Sequence, residues 1–303
     1  MTTILDWLAF LLLMTLFFAF AASRFVAALR RFADGRHQQV LLALVLLIPF
    51  LLAALPGEAS NPVSFLHGAG RMLLYLLTPA LAMIFRPRAA KALHPLDILA
   101  TLAIWFPIEF DWLPDVDARL AGGVSIPIPL LTGVVLAFLC FLVLRPLAGG
   151  IGYTFRLTRA DFGRISAALT AYTLVAIPLG LAVRFLVFGV APFNLGEWVL
   201  AWSLGYLFTA LPEEMLFRGI IQNQIHQRLK GEWAALGVAA VIFGLAHLNN
   251  ATPGYPEPNW MYVLMASLAG LAYGWTWRKT GKITASAVVH ATVNFLWGIL
   301  LSG

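Results

Sequence analysis

The chain has 303 residues, of which 61% are hydrophobic and only 11% are charged. A soluble domain carries about a quarter charged residues and could not bury this much apolar surface in one core. The composition therefore excludes an ordinary soluble protein and indicates that the lipid bilayer surrounds much of the chain. The net charge of +6 does not indicate nucleic acid, because no basic run is interleaved with aromatic residues and loop cations of a membrane protein produce the same excess.

Ten apolar segments follow one another along the chain, and each predicts a transmembrane helix. They cover roughly residues 4–23, 38–55, 64–85, 96–110, 124–144, 165–187, 197–220, 233–248, 260–277 and 283–301. The fourth is short and contains Pro107, so a re-entrant or interfacial segment is its alternative. The sequence therefore predicts an all-α fold, a polytopic transmembrane helical bundle with about ten spans.

The connections between these segments alternate in charge. Of the 20 Lys and Arg residues, all but Arg71, Arg119 and Arg184 fall at every second connection. Those basic connections carry Arg24, Arg30, Arg31, Arg36, Arg86, Arg88, Lys91, Arg145, Arg156, Arg159, Arg164, Arg218, Arg228, Lys230, Arg278, Lys279 and Lys282. The positive-inside rule then predicts that these connections are cytoplasmic and that both termini are non-cytoplasmic. Short loops and the lack of a soluble domain favour a bacterial inner (plasma) membrane.

A basic, glycine-containing connection divides the segments into two sets of five. We predict an N-terminal transmembrane scaffold or extension at residues 1–145, a cytoplasmic loop at 146–164 and a C-terminal membrane domain at 165–303. The first set holds few polar residues within its spans. Its single cysteine, Cys140, lies in an apolar run, which predicts a buried packing role.

Two adjacent glutamates lie near the end of the seventh segment. Adjacent helical residues point about 100° apart, and Arg218 lies four residues after Glu214, so Glu214 can pair with Arg218 within its own helix. Glu213 is then an unpaired carboxylate, which desolvation makes a competent general base. The alternative is a solvated helix end at the cytoplasmic interface, with a break or kink at Pro212.

Two histidines and an asparagine lie in the following apolar segments. His247 ends the eighth segment, and His290 and Asn294 are four residues apart on one helical face of the tenth. His247 can orient a water molecule, whereas His290 and Asn294 can both donate to one point, as stabilisation of an oxyanion requires. The alternative for all three is a structural role as hydrogen-bonding groups between helices.

The distance between Glu213 and His247 depends on the length of one helix. Ile220, Ile221, Ile225 and Leu229 continue an apolar stripe beyond the charged cluster, so we predict a helix that continues to Leu229. A helix that ended at Arg218 would leave the two groups apart.

Other hydrolase motifs are absent from the sequence. It has neither the His-Glu-x-x-His motif of zinc peptidases nor a Gly-x-Ser-x-Gly nucleophile elbow, and no aspartate pair lies within the spans. No cofactor is expected, although two histidines and a glutamate could in principle bind Zn²⁺.

The ordered motifs Glu-Glu-x-x-x-Arg, Phe-x-x-x-His and His-x-x-x-Asn resemble those of the CPBP family. This family comprises CAAX-prenyl endopeptidases and bacterial relatives linked to bacteriocin processing and immunity, often called Abi proteins. The resemblance covers about residues 197–301 and implies an intramembrane endopeptidase that acts on a membrane-associated peptide or protein. It implies that Glu213 and His247 activate water, that His290 and Asn294 stabilise the oxyanion, and that Glu214 and Arg218 support the site.

Two other functions are possible for such a sequence. A non-catalytic membrane partner or immunity protein would retain the polar cluster for structural reasons. A secondary transporter is disfavoured, since neither an inverted repeat nor paired broken helices are evident.

Overall fold

The computed structural model describes residues 3–58, 61–87, 93–229 and 231–301. The predicted loop cations Arg88, Lys91 and Lys230 lie outside the described residues. The chain forms two compact units, Met1–Gly150 and Ile151–Gly303, which we describe separately.

The first unit is helical, with one small hairpin. Its helices are α1 (Ile4–Ala19), α2 (Ser23–Phe32), α3 (Arg36–Val45), α4 (Leu47–Glu58), α5 (Pro62–Phe85), α6 (Pro95–Glu109) and α7 (Ile128–Phe138), which continues as a π-helical segment, Leu139–Leu144. The strands β1 (Asp117–Arg119) and β2 (Ser125–Pro127) pair antiparallel, with Ala118 opposite Ile126. The predicted segment 124–144 thus becomes helical only from Ile128, because residues 125–127 belong to the hairpin.

Helix α7 lies at the centre of this unit. Every residue from Leu131 to Phe138 is buried, as is Cys140, as predicted. The rings of Phe17 and Phe20 pack on that of Phe138, at centroid distances of 6.1 and 5.5 Å. Helix α1 ends earlier than predicted, and the chain bends by 102° into α2.

The second unit contains seven helices among its described residues. They are α8 (Arg159–Ala182), α9 (Leu195–Gly205), α10 (Leu211–Glu214), α11 (Asn223–Leu229), α12 (Glu232–Leu245), α13 (Trp260–Thr280) and α14 (Ile283–Leu300). Two π-helical segments, Tyr206–Ala210 and Met215–Gln222, join α9, α10 and α11 into one helical run, residues 195–229. The predicted continuation to Leu229 is therefore confirmed.

Small residues bring α12 and α13 close together. A Cβ atom on Gly244 would collide with Ser267 and with the Val263 carbonyl oxygen, and one on Gly270 would crowd Ala240. Glycine at these positions permits the close backbone approach that membrane helices use for packing. The approach fixes the end of α12, which His247 follows.

Four helical segments among the described residues are long and apolar enough to span a bilayer. They are Arg36–Pro56, Pro62–Phe85, Arg159–Ala182 and Ile283–Leu300, and a fifth results if the bent α1–α2 pair counts as one span. The chain is thus an α-helical integral membrane protein, whereas the predicted count of ten spans is not confirmed. Glu232–Leu245, for example, is a shorter apolar helix, and its 14 residues extend only about 21 Å at 1.5 Å per residue, less than the bilayer core of about 30 Å.

Candidate active site

Three helical elements of the second unit carry the polar residues that the sequence singled out. Glu213 and Glu214 end α10, and Arg218 lies in the π-helical segment that follows. His247 lies just beyond α12, and His290 and Asn294 lie on α14. Helix α14 packs against α10, and α12 packs against the π-helical segment Met215–Gln222, so these groups belong to one region.

Glu214 and Arg218 form a fully buried ion pair. The Arg218 Nε atom lies 3.1 Å from Glu214 Oε2, and both side chains are inaccessible to solvent. The guanidinium carbon also lies 4.6 Å from the centroid of the Phe243 ring and 5.5 Å from that of Tyr273. Aromatic faces stabilise a desolvated cation, so this arrangement holds the positive charge within the helix bundle. The pairing predicted from the i,i+4 spacing is present.

The Glu214 carboxylate also holds His290. His290 Nδ1 lies 2.9 Å from Glu214 Oε1, and Ser286 Oγ donates to Glu214 Oε2 at 2.5 Å. An ionised carboxylate only accepts hydrogen bonds, so we assign the Nδ1 hydrogen of His290 to this bond. His290 Nε2 is then the ring nitrogen available to another group. The Tyr273 ring stacks on the imidazole, with centroids 4.5 Å apart, and fixes its plane.

Glu213 differs from its neighbour in both exposure and bonding. Its side chain is 32% exposed, and its Oε2 atom lies 3.8 Å from His290 Nε2. That oxygen is buried and has no hydrogen-bond partner within the described part of the chain. The separation exceeds a hydrogen bond. This oxygen of Glu213 therefore makes no hydrogen bond within the described part of the chain, and the His290 imidazole lies within ion-pair distance of it.

His247 is oriented by a carbonyl oxygen of the preceding helix, α12. Its Nδ1 atom lies 2.8 Å from the Phe243 carbonyl oxygen, which can only accept, so Nε2 is again the available nitrogen. The imidazole stacks on Tyr262, with centroids 5.1 Å apart and planes 24° apart. His247 and His290 thus have the same arrangement: Nδ1 is hydrogen-bonded to another group of the protein, and Nε2 is available to a further group.

The two histidines line one pocket together with Asn294. This pocket has a volume of about 60 Å³ and is otherwise largely apolar and aromatic, with Tyr262 and Tyr273 in its wall. The Asn294 side chain is exposed. Such a pocket is large enough to hold water beside polar groups. Glu213 is not among the described lining residues. It lies beside the pocket residue His290, with Glu213 Oε2 3.8 Å from His290 Nε2.

The structure brings the predicted pairs together to different degrees. Glu214 meets Arg218, and His290 and Asn294 line the same pocket. No hydrogen bond or ion pair among the described residues joins Glu213 to His247; the imidazole near Glu213 belongs to His290. The two histidines lie on separate helices, and their relative distances from Glu213 depend on tertiary packing that the motifs do not encode.

Three residues that sequence reasoning missed complete the region. Ser286 lies four residues before His290, so Ser286, His290 and Asn294 share one face of α14, and this spacing was a usable signal. Tyr262 and Tyr273 had no such signal, since they reach the histidines from α13 by tertiary packing.

Asn259 organises the connection that follows His247. It is buried, and its Nδ2 atom donates to the Asn250 carbonyl oxygen at 2.9 Å and to Thr252 Oγ1 at 3.2 Å. Its Oδ1 atom accepts from the backbone N–H of Tyr262 at 2.9 Å and so caps α13. One side chain thereby links the loop after His247 to the tyrosine that stacks on it.

No three His, Cys, Asp or Glu side chains in the described ranges are grouped so that they could hold a metal ion.

Residues 194–296 match the family described as Type II CAAX prenyl endopeptidase Rce1-like. The match contains Glu213, Glu214, Arg218 and the three later polar residues, and it confirms the resemblance to CPBP endopeptidases. No curated protein and no solved structure matches the chain. Residues 194–296 of this membrane protein are therefore similar to the type II CAAX prenyl endopeptidases of the Rce1-like family, and the match leaves residues 1–193 uncovered.

Proposed function

We propose that the chain is an intramembrane endopeptidase that hydrolyses a peptide bond of a membrane-associated or prenylated-type substrate with a glutamate-activated water. One observation carries the proposal: a buried, unpartnered oxygen of Glu213 lies 3.8 Å from His290 Nε2. A carboxylate and an imidazole at this spacing can share one water or substrate atom between them.

In the proposed reaction Glu213 removes a proton from water as the water oxygen attacks the substrate carbonyl carbon. The carbonyl π electrons move to oxygen, and the resulting oxyanion requires nearby donors. Collapse of the tetrahedral intermediate breaks the C–N bond, and the proton held by Glu213 passes to the departing amine. The products are a carboxylic acid and an amine, so one water is consumed.

The remaining polar groups receive supporting roles. Asn294 supplies an amide donor for the oxyanion. His290 supplies Nε2, which donates in the imidazolium form, while Glu214 holds its other nitrogen. His247 offers Nε2 to the same pocket and orients water or substrate there. Arg218 balances the charge of Glu214 and touches no substrate.

We place the enzyme in a bacterial inner membrane because of its short loops and the lack of a soluble domain. The loop charges place its basic connections in the cytoplasm and both termini on the other side. The partners in this proposal are the bilayer and a peptide or protein substrate. No cofactor is assigned, so hydrolysis is expected to persist after treatment with a chelator.

The test uses the full chain in detergent with a fluorogenic peptide. We expect Glu213→Gln and His247→Ala to lower kcat about 100- to 10,000-fold, the range for loss of a general base or acid, without a change in melting temperature. Matched controls are Glu197→Gln and His226→Ala, since both residues are exposed in the same unit. Full activity in either site variant would refute the proposal. A parent protein with no hydrolytic activity, in which the same changes only lower stability, would favour the non-catalytic partner instead.

A further inference from the structure

His247 lies beyond the last residue of α12, Leu245, at the start of an irregular connection. Its backbone N–H bonds to the Gly244 carbonyl oxygen at 2.9 Å and so makes a final turn of the helix. From Leu248 the chain runs without regular helix to the start of α13 at Trp260. A group on a connecting segment is held less precisely than one within a helix. The proposed role of His247 therefore requires that another part of the protein fixes this segment.

Asn259 closes the connection by bonds to several of its residues. Its backbone N–H donates to the Leu248 carbonyl oxygen at 2.7 Å. Its side-chain Nδ2 atom lies within hydrogen-bond distance of three acceptors, the Asn250 carbonyl oxygen at 2.9 Å, Thr252 Oγ1 at 3.2 Å and the Tyr255 carbonyl oxygen at 3.3 Å. A side-chain amide carries two hydrogens on its nitrogen, so these acceptors use its whole donor capacity.

The same side chain fixes an aromatic ring that contacts the imidazole. Asn259 Oδ1 accepts the backbone N–H of Tyr262 at 2.9 Å, in the first turn of α13. The Tyr262 ring is stacked on that of His247, and the Phe243 ring lies 4.8 Å from the imidazole between centroids. Phe243 precedes His247 in the same helix, whereas Tyr262 reaches it from another element. Asn259 thus holds both the residue after His247 and the ring that packs on it.

The chemistry of the amide group separates this arrangement from an ordinary helix cap. Serine or aspartate would cap α13 about as well as asparagine. An ionised aspartate cannot donate, however, and a serine hydroxyl has a single hydrogen on a shorter side chain. The amide accepts from Tyr262 through its oxygen while it donates to the connection through its nitrogen. What it adds to a cap is therefore a fixed geometry for the segment that follows His247.

We propose that Asn259 is a positioning residue that sets where His247 Nε2 lies in the active site. The proposal rests on the proposed hydrolysis, in which His247 orients water or substrate. Asn259 is not among the described lining residues of the pocket, so it acts through the Leu248 backbone and the Tyr262 ring without contact with the substrate. Its loss should then lower kcat and leave KM unchanged.

The test compares Asn259→Ser with the parent, as full chains in detergent with the fluorogenic peptide. Serine keeps a cap for α13 but removes the bonds from the amide nitrogen to the connection. We expect the variant to stay folded and kcat to fall about 10- to 100-fold, as for a small misplacement of a catalytic group. Asn194→Ser is the matched control, since Asn194 also caps a helix of the same unit through Oδ1 and is exposed. It should leave both constants unchanged.

A second comparison separates positioning from a purely structural role. In a His247→Ala background, Asn259→Ser should lower kcat by less than about twofold further, because the effects of groups that act as a unit are not additive. An equal loss in both backgrounds would overturn the proposal. So would a lower melting temperature with kcat per folded molecule intact.

Carbethoxylation of His247 by diethyl pyrocarbonate tests its position without peptidase activity. We expect Asn259→Ser to raise the modification rate of His247 at least about threefold, because a segment with fewer restraints opens more often. The exposed His226 should react at the parent's rate. An unchanged rate at His247 would overturn the proposal even in an active enzyme. A parent without hydrolytic activity would instead refute the proposed function, and the modification rates would still decide whether Asn259 holds His247 in place.

Discussion

Both units bury an ion pair, but the two pairs have different surroundings. In the first unit Asp97 holds Arg86 with one oxygen, and its other oxygen accepts the backbone N–H of His94 and caps α6. In the second unit Glu214 and Arg218 lie within a helical run, and next to them Glu213 keeps a buried oxygen without a partner among the described residues. The two carboxylates differ most clearly: Asp97 uses both of its oxygens within the fold, whereas Glu213 has an oxygen available to another group.

The comparison predicts that charge changes in the second unit affect activity as well as stability, whereas those in the first affect stability alone. The Glu213→Gln variant proposed above is the extreme case, because we expect it to lower kcat without any change in stability.

Arg218→Met should give the largest loss of stability. It would leave Glu214 buried without its cation, and removing one partner of a buried pair costs about 3–5 kcal/mol. We expect a matching decrease in the free energy of unfolding in detergent, together with lost hydrolysis, because Glu214 also holds His290.

Arg228→Met is the control, since Arg228 is an exposed cation on the same helical run. Adding Glu214→Gln to Arg218→Met should restore part of the stability but not the activity. Unchanged stability in Arg218→Met alone would mean that the ion pair and the contacts of Arg218 with the Phe243 and Tyr273 rings contribute nothing to the fold.

Local spacing explains why part of this site was predictable. The Glu214–Arg218 pair depends on the spacing of four residues along one helix. The continuation of the helical run to Leu229 depends on an apolar stripe, so both features are properties of a single segment. That Glu213 lies outside this pair follows from the same spacing. Each of these features required no knowledge of the neighbouring helices.

Features that depend on packing between elements were not predictable in this way. The bond from His290 to Glu214 joins side chains 76 positions apart. The sequence paired Glu213 with His247, whereas the imidazole that lies beside Glu213 is that of His290. Likewise the bend between α1 and α2 occurs inside a run that is apolar up to Ala22. Hydropathy reports the composition of such a segment but not the direction of its axis.

Asp97→Asn tests the first unit. It would weaken the pair with Arg86 and the capping bond to His94, and a lost bond to a buried charged group costs about 1–3 kcal/mol. We expect the free energy of unfolding to fall by that amount, while the hydrolysis rate per folded molecule stays unchanged.

Asp115→Asn, at an exposed position of the same unit, controls for the loss of one acid. A decrease in rate at full stability in Asp97→Asn would break the distinction between the units, because it would give the first unit a part in the reaction.

Ser286→Ala should have the smallest effect and gives the sharpest test of positioning in the second unit. The Ser286 hydroxyl is fully buried and contacts both Glu214 Oε2 and the Tyr273 carbonyl oxygen. Without it Glu214 keeps Arg218 and His290 but loses one restraint on its orientation. We expect kcat to fall about tenfold, equivalent to about 1.4 kcal/mol. KM should stay unchanged because the hydroxyl does not line the pocket proposed to hold the substrate.

Ser203→Ala is the matched control, since Ser203 donates only to the Val199 carbonyl oxygen of its own helix and should leave both constants unchanged. A purely structural Ser286 would lower the melting temperature in the alanine variant but leave kcat per folded molecule intact. A decrease in kcat at constant KM instead requires that the carboxylate held by Ser286 acts on the reaction through His290, which is what separates this buried pair from the one at Asp97.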